Sequence, residues 1–268
     1  MSLCMFCGRK TSFIYKMSDY DIYQCSYCYT ALVDNMPSDE ELQQFYSGFK
    51  FNINKNNIKK YESDIFRKWF LSFGFKDGAK MLDLGGGGGC FSYAFQKFNI
   101  GESYYIDLDD EACQFASKEL NIKNVINGDA RDLKRIFDHK FDFIYSRHLI
   151  EHLKNPTELI DAAINRLAPS GVFLLQIPNG RSLEYFGYLN LLQHRIKVIR
   201  DSNDNFSKAK TLITLFGPRM AHGIDPIRHL WAISPKGISE YLLKKGVKFV
   251  LKTAPLSDPV YSPYFTAK

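Results

Sequence analysis

The sequence predicts a doubly wound α/β fold: a mostly parallel, seven-stranded sheet with helices on both faces, preceded by a small ribbon built on cysteines. Three observations carry this. Strand-like and helix-like stretches alternate from residue 80 to residue 177, the rhythm of a parallel sheet covered on both sides. An unbroken run of glycines, Gly85 to Gly89, separates the first of these strands from the first helix. Two Cys-x2-Cys pairs stand near the N-terminus, with the spacing of a tetrahedral metal shell.

The chain has 268 residues, 45% hydrophobic and 24% charged. That is enough for one substantial domain with a small accessory module and a real core. Disordered, collagen-like and fibrous classes are excluded by that balance. Apolar runs such as Val172–Leu175 fall far short of the roughly 18 residues needed to cross a bilayer, so no membrane span is expected. The start, Met1-Ser-Leu-Cys-Met-Phe-Cys7, lacks the charged opening and apolar core of a secretory signal, and a cytoplasmic location is the expectation. The net charge of +6, from 35 Lys and Arg against 29 Asp and Glu, permits an anionic partner without requiring one. Aromatic residues make up 15% of the chain and are expected in the core and in pocket walls. Nucleic acid is not an expected partner.

The elements follow in order. In residues 1–36, Cys4-x2-Cys7 and Cys25-x2-Cys28 form two knuckles, each turning two thiolates toward one ion. Gly8 follows the first pair, where a positive φ lets amide hydrogens approach the sulfurs. Tyr29 occupies the equivalent place in the second. Ser12–Tyr15 and Asp21–Gln24 read as short strands between the knuckles, giving a zinc ribbon. Four thiolates close the shell, so the expected Zn2+ is structural. Paired disulfides are the alternative, disfavoured in a reducing compartment. Cys90 and Cys113 lack partners at ligand spacing and are expected to be buried.

Residues 37–57 are expected to be a short helix and a linker. Ser38 with Glu41 is a capping-box signal for that helix, and the linker is rich in Asn. From 58 to the end the chain reads as one α/β domain. Tyr61, Ile65, Phe66, Trp69, Phe70 and Phe73 recur at helical spacing. Strands are predicted at 80–84, 103–107, 125–126, 141–145 and 171–177, with helices at 90–98, 110–120 and 157–167 between them. An insertion at about 179–232, rich in aromatics and Arg, breaks the rhythm and reads as a lid or acceptor-binding element. Ser234-Pro235 then opens a helix, Val247–Leu251 is a strand, and the last dozen residues supply one more.

The glycine run lies at the carboxyl end of a strand, where parallel sheets bind ligands. A phosphate-binding loop needs Lys and Ser or Thr after its last glycine, whereas Cys90-Phe91 follows here. The dinucleotide pattern G-x-G-x-x-G fails from each start: on Leu84, on Cys90, or on Phe91. What remains is Asp83-x-Gly85-x-Gly87-x-Gly89. Asp107 ends the second strand, placed to take both hydroxyls of a ribose, a role shared by both nucleoside cofactor classes. Asp129 ends the third, placed to accept from an adenine amino group. The competing reading, a helix cap, suits Asp109, which precedes Asp110-Glu111.

With these residues in view, the chain resembles the class I S-adenosylmethionine (SAM)-dependent methyltransferases, whose fold is Rossmann-like. The likeness runs through Met81-Leu-Asp-Leu-Gly85, Tyr105-Ile-Asp-Leu-Asp109, Asn127-Gly-Asp-Ala130, Phe141 to His152 and Leu167 to Asn179. It implies SAM as cofactor, held by Asp83, Gly85, Gly87, Gly89, Asp107, Leu108, Asp129, Ala130 and Tyr145. The knuckles with Pro37-Ser-Asp-Glu-Glu-Leu42, and Arg228-His-Leu-Trp-Ala-Ile-Ser234, are similar to a bacterial subgroup with an N-terminal zinc ribbon, associated with sugar or surface-glycan modification. Related deoxysugar C-methyltransferases carry a further C-terminal domain that this sequence does not show, which speaks against C-methylation of a deoxysugar; the expected methyl acceptor atom is oxygen.

Methyl transfer from a sulfonium is an in-line displacement in which the protein mainly supplies alignment and a dry site. An oxygen nucleophile also needs a base. Histidine takes a proton near neutral pH, which makes His148 the candidate general base. Glu151 and His152 are expected as an orienting, hydrogen-bonded pair. They resemble a Glu-His pair that some relatives use for a divalent ion, with His148 in place of the first acid of that motif. His222 or His229 is the candidate to complete such a second metal site. Tyr185, Phe186, Tyr188, His194, His222, Arg228, His229 and Trp231 are candidates for the acceptor pocket. The expected acceptor is a small molecule or a glycan-linked group. Two other readings are an RNA methyltransferase that grips phosphates with its ribbon and a non-catalytic SAM-binding or interaction protein.

Overall fold

The computed structural model describes residues 2–17, 19–47, 58, 61–180, 224, 226–252 and 264–267. The chain divides into two units. The first comprises residues 1–48, 150–156 and 177–264, and the second 49–149, 157–176 and 265–268.

In the first unit the ribbon strands β1 (Thr11–Met17), β2 (Tyr20–Cys25) and β3 (Ala31–Val33) pair antiparallel in that order. Tyr15, Met17, Ile22, Ala31 and Val33 alternate onto one face and are buried together, as a strand period of two dictates. Helix α1 (Asp39–Ser47) opens with the capping box read from the sequence. The Glu41 amide donates to Ser38 Oγ at 3.1 Å, and the Ser38 amide donates to Glu41 Oε2 at 2.7 Å.

The second unit begins with helix α2 (Asp64–Leu71), capped by the Ser63 hydroxyl, which accepts from the Phe66 amide. Ile58 and Tyr61 are helical as well, and Glu62 and Ser63 separate Tyr61 from α2. Strands β4 (Ala79–Leu84), β5 (Gly101–Asp107), β6 (Asn124–Asn127), β7 (Phe141–Arg147) and β8 (Leu167–Gln176) form a parallel sheet in the order β8-β7-β4-β5-β6. Helices α3 (Cys90–Lys97), α4 (Asp110–Lys118), α5 (Leu133–Ile136) and α6 (Pro156–Arg166) lie between these strands in sequence. The aromatic surplus is explained here: Phe66, Phe70, Phe91, Phe95 and Phe143 are buried against one another. The chain runs outward from β4 first through β5 and β6, then through β7 and β8. Strand order therefore reverses beside β4, the position at which such sheets bind ligands.

Strand β8 starts earlier than the predicted residue 171. Its pairing with β7 shifts register between Phe141 and Phe143, and regular pairing begins only at Val172. Pro169 has no amide hydrogen to give a ladder, and Ser170 takes a left-handed φ of 65°. Gly171 follows in a place where a Cβ would stand 2.9 Å from the Phe141 carbonyl oxygen.

The remaining described residues of the first unit begin with Ile224. Strand β9 (Trp231–Ala232) pairs with β3 and gives the ribbon a fourth strand that the sequence did not announce. Helix α7 (Pro235–Lys244) opens as read, with Pro235 at its start and the Ser234 hydroxyl accepting from the Gly237 amide at 2.9 Å. Strand β10 is Phe249–Lys252, and β11 is Tyr264–Ala267. Among the described residues no helix is long and apolar enough to cross a membrane.

Candidate active site

The site in the second unit is built at the carboxyl ends of β4, β5 and β7. Register aligns Asp83 with Tyr145, and Leu84 with both Ile106 and Ser146, so the residues that follow these strands emerge side by side. The glycine run leaves β4 and hooks back onto β5. Gly85 and Gly86 amides donate to the Ile106 carbonyl at 2.9 and 3.2 Å. Gly85 has a φ of +62° and packs under Leu149, whose Cδ2 would lie 3.0 Å from an added Cβ. At Gly86 a Cβ would stand 2.3 Å from the Tyr105 ring and 3.2 Å from the Asp83 carboxyl carbon. Side chains are thus excluded on the loop's inner side, and main chain alone is presented. Such a bare cradle fits a ligand that approaches the backbone closely.

The two predicted acids nearest the loop are both buried. Asp83 accepts from the Ser92 amide and hydroxyl at 3.3 and 3.1 Å. Burial still pushes its carboxyl up to about 7, because those two hydrogen bonds offset only part of the desolvation. Asp107 accepts from the Gly87 amide through Oδ2 and from the Asp109 amide through Oδ1, both at 2.9 Å. Burial raises its carboxyl as well, opposed by those bonds. Leu108, next in the chain, is 68% exposed and projects beyond the strand end.

Asp109 is the cap it was read as, accepting from Glu111 and Ala112 amides. Asp129 is a cap too. It accepts from the Arg131 amide at 2.8 Å and is gripped by the Arg131 side chain through both oxygens, which holds its carboxyl below the usual range. Ala130 starts the 3-10 turn that Asp129 caps and is buried. Tyr145 is buried as well. Its ring stacks on Phe91 with centroids 3.6 Å apart, and its hydroxyl donates to Gln176 Oε1 at 2.8 Å.

His148 stands just past β7 with a φ of +49°, a left-handed conformation that costs of order 1–3 kcal/mol and tends to occur at functional sites. Its amide donates to the Gln176 carbonyl at 2.9 Å. Beside it in sequence, Arg147 donates to the Tyr61 hydroxyl at 3.1 Å. Sequence reasoning missed this pair, since Tyr61 was absorbed into the helical apolar pattern. Cys90, half-buried, stays a thiol: burial pushes it up to about 11.

In the first unit the four knuckle cysteines converge. Cys4 and Cys28 sulfurs are 3.6 Å apart, Cys7 and Cys25 sulfurs 3.4 Å apart, and all four lie within 4.8 Å of one another, buried. A tetrahedral shell with Zn–S bonds of about 2.3 Å spaces its sulfurs by about 3.8 Å, so this donor set fits zinc. The knuckles match in backbone: Gly8 donates to the Cys4 carbonyl and Tyr29 to the Cys25 carbonyl, with φ of 75° and 65°. Tyr29 holds without a glycine the conformation that Gly8 supplies.

Glu151 and His152, also in the first unit, are not the hydrogen-bonded pair expected. Glu151 Oε1 and His152 Nε2 are 3.9 Å apart, beyond hydrogen-bond reach. Trp231, expected in an acceptor pocket, is instead core: it is 2% exposed, packs edge-on against Phe6 and donates to the Leu153 carbonyl. Tyr185, Phe186, Tyr188, His194 and His222 lie outside the described residues.

A family model described as a methyltransferase domain matches residues 55–250. This chain belongs to that family. It is a SAM-dependent methyltransferase with the Rossmann-like fold. The methyltransferase is 20% identical over 183 residues to the ubiquinone biosynthesis O-methyltransferase of Neisseria meningitidis serogroup C, a match spanning 59% of this chain and 77% of that protein. It is 24% identical over 161 residues to the ribosomal protein L11 methyltransferase of Thermosipho melanesiensis, spanning 60% of this chain and 59% of that one. Among solved structures, it superposes on the plantazolicin methyltransferase BpumL in complex with SAH with a TM-score of 0.51 and 16% identity, over 86% of this chain and 91% of the other.

Proposed function

We propose that this methyltransferase moves a methyl group from SAM to a hydroxyl oxygen of a small-molecule or glycan-linked acceptor. SAM, when bound, supplies a methyl group already activated on a sulfonium. The observation that carries the reading is the bare-backbone loop at 85–89, anchored to β5 and flanked by Asp83 and Asp107. In this reading Gly85, Gly87 and Gly89 offer backbone to the cofactor, with Asp83 on its amino-acid side. Asp107 takes the ribose hydroxyls, Leu108 covers the adenine, and Asp129 with Ala130 borders it. Tyr145 is the floor beneath. His148, held beyond β7 by the hydrogen bond from its amide to the Gln176 carbonyl, takes the hydroxyl proton as oxygen attacks. Oxygen as acceptor atom and a small-molecule acceptor are both supported by the relatives named ubiquinone biosynthesis O-methyltransferases.

The four cysteines support a structural Zn2+ in an N-terminal ribbon of residues 1–36, followed by a helix and linker at 37–57 and a catalytic domain at 58–268. Glu151 and His152 orient the segment after His148. Strands β10 and β11 are read as the sixth and seventh strands of the sheet. Four thiolates on one ion rather than two disulfides is the state that a reducing compartment favours, and this supports the cytoplasm.

The test is methyl transfer from labelled SAM to a panel of hydroxylated small molecules and sugar nucleotides, with two variants. Asp107→Ala is expected to weaken SAM binding about ten- to a hundredfold, the range for losing hydrogen bonds to a charged group. His148→Ala is expected to leave SAM affinity in place and lower kcat about a hundredfold or more. Unchanged SAM affinity in Asp107→Ala would show the ribose contact to be misplaced, and unchanged kcat in His148→Ala would remove the base.

A further inference from the structure

In the first unit, cations gather on one aromatic ring beside the cysteine knuckles. Tyr27 lies inside the second knuckle, in Cys25-Ser-Tyr-Cys28, and is half-buried. Arg9, just past Cys7 in the first knuckle, places Cζ 4.1 Å from the centre of the Tyr27 ring. Lys236, in the first turn of α7, places Nζ 3.6 Å from the same centre. A third cation reaches the first knuckle from the far end of α7, where Lys244 Nζ donates to the Cys7 carbonyl.

The acid best placed to neutralise this group is engaged elsewhere. Glu240 follows Lys236 at the helical spacing of an ion pair, yet its Oε1 accepts from the Tyr27 hydroxyl at 3.0 Å. Among the described residues, Arg9 and Lys236 have no ion pair and no side-chain hydrogen bond, and both are exposed. The electron-rich ring offsets their mutual repulsion, so two like charges are held near each other and neither is neutralised. Contact with a ring also leaves the N–H donors of guanidinium and ammonium available. Four thiolates around Zn2+ make a net anion, and Lys244 on the Cys7 carbonyl answers part of that charge. Arg9 and Lys236 meet on the phenol ring instead.

An anion that satisfies both must give two oxygens to the arginine fork and keep another for the ammonium. A carboxylate and a phosphodiester each present two free oxygens, both taken when they meet the fork side-on. A terminal phosphate presents three, and its charge of about −1.5 to −2 at pH 7 matches two cations. We infer that Arg9 and Lys236, mounted on Tyr27, form a binding site for a terminal phosphate or diphosphate group, carried by a soluble nucleotide or by a lipid. None of these residues belongs to the cofactor cradle.

The experiment uses the zinc-loaded full chain, with SAH added to fill that cradle. Calorimetry with inorganic pyrophosphate and with uridine diphosphate is expected to show saturable binding that weakens as salt is raised. Arg9→Gln and Lys236→Gln should each weaken it about ten- to a hundredfold, the range for hydrogen bonds to a charged group, with zinc content and circular dichroism unchanged. Glu240→Gln removes the acid at the ring and should tighten it, an effect that a merely structural role for these residues would not produce. Vesicles separate the two carriers. Sedimentation with phosphatidic acid, a monoester, but not with phosphatidylglycerol, a diester, assigns a lipid; binding of uridine diphosphate alone assigns a soluble molecule. A wild-type chain that binds neither the diphosphates nor phosphatidic acid overturns the proposal. So do Arg9→Gln and Lys236→Gln chains that bind as tightly as wild type, and so does equal affinity for an oligonucleotide without terminal phosphates. If Arg9→Gln loses zinc, Lys236→Gln decides, because Lys236 lies outside both knuckles.

Discussion

The Gly87 amide donates to Asp107 Oδ2 at 2.9 Å. On its other side the same residue's carbonyl accepts from the buried Tyr105 hydroxyl at 2.7 Å. Two side chains of β5 therefore grip one residue of the loop that leaves β4, from its donor and from its acceptor. Glycine makes the loop thin enough to lie there, and the strand then fixes it. The cradle is thus set by packing and hydrogen bonds of the chain itself, as preorganised binding requires.

That arrangement makes neighbouring glycines unequal. Gly86→Ala puts a Cβ 2.3 Å from a Tyr105 ring that cannot retreat, being buried and tied to Gly87. Overpacking of this kind costs about 1–3 kcal/mol, and displacement of the ring also disturbs the loop. Gly88→Ala meets only the Cys90 sulfur at 3.8 Å, an ordinary contact, and should change stability by less than about 0.5 kcal/mol. Urea unfolding of both variants, with SAM titration, checks the contrast. Equal effects at the two positions would contradict the packing described.

Asp83 makes stability depend on pH in a stated direction. Its carboxyl is raised from 3.8 to about 7 by burial. Between those values the folded chain keeps a proton that the unfolded chain has lost. Folding stability from this group is therefore greatest in acid, falls as pH rises from about 4 to 7, and is level above that. The upper bound is ~4 kcal/mol over the window, at about 1.4 kcal/mol per pKa unit. Asp83→Asn should flatten this part of the profile while keeping an acceptor for Ser92. Unfolding free energies at pH 5 and pH 8, compared between the two proteins, read the difference directly.

What was legible in the sequence is what local chemistry decides. Ser38 with Glu41, Asp109 before its helix and Ser234-Pro235 each announce a cap within four residues, and each forms. The parallel sheet was legible because βαβ alternation has a short period. Asp129 also caps the turn that follows it, and the Arg131 that grips its carboxylate is two residues away, a contact that reading it as a partner for adenine does not announce. Pairing across long sequence separation was not legible. Trp231 carries the composition of a pocket aromatic, and only the ladder from β3 to β9 makes it core. The meeting of His152 with Tyr46 and Arg228 has the same origin, as does the left-handed Tyr29, which no local residue preference foretells.

Ser234 ties helix α7 to the second cysteine knuckle, and this joint is open to test. Its hydroxyl accepts from the Gly237 amide at 2.9 Å, lies 3.2 Å from Thr30 Oγ1, and donates to the Cys28 carbonyl. Gly237 is packed against the same place, where a Cβ would stand 2.2 Å from Thr30 Oγ1. In Ser234→Ala the helix loses its cap, at about 1 kcal/mol. The buried Cys28 carbonyl also loses a donor, at a further 1–3 kcal/mol or so. An ordinary cap deletion would stop at the first of these. Here the second falls on the backbone of a thiol that fits zinc, so release of Zn2+ to a chelator should quicken in Ser234→Ala. Ser63→Ala serves as the control, because Ser63 caps α2 in the other unit and should leave release unchanged. Equal release rates in the two variants would show that the knuckle does not depend on this hydroxyl.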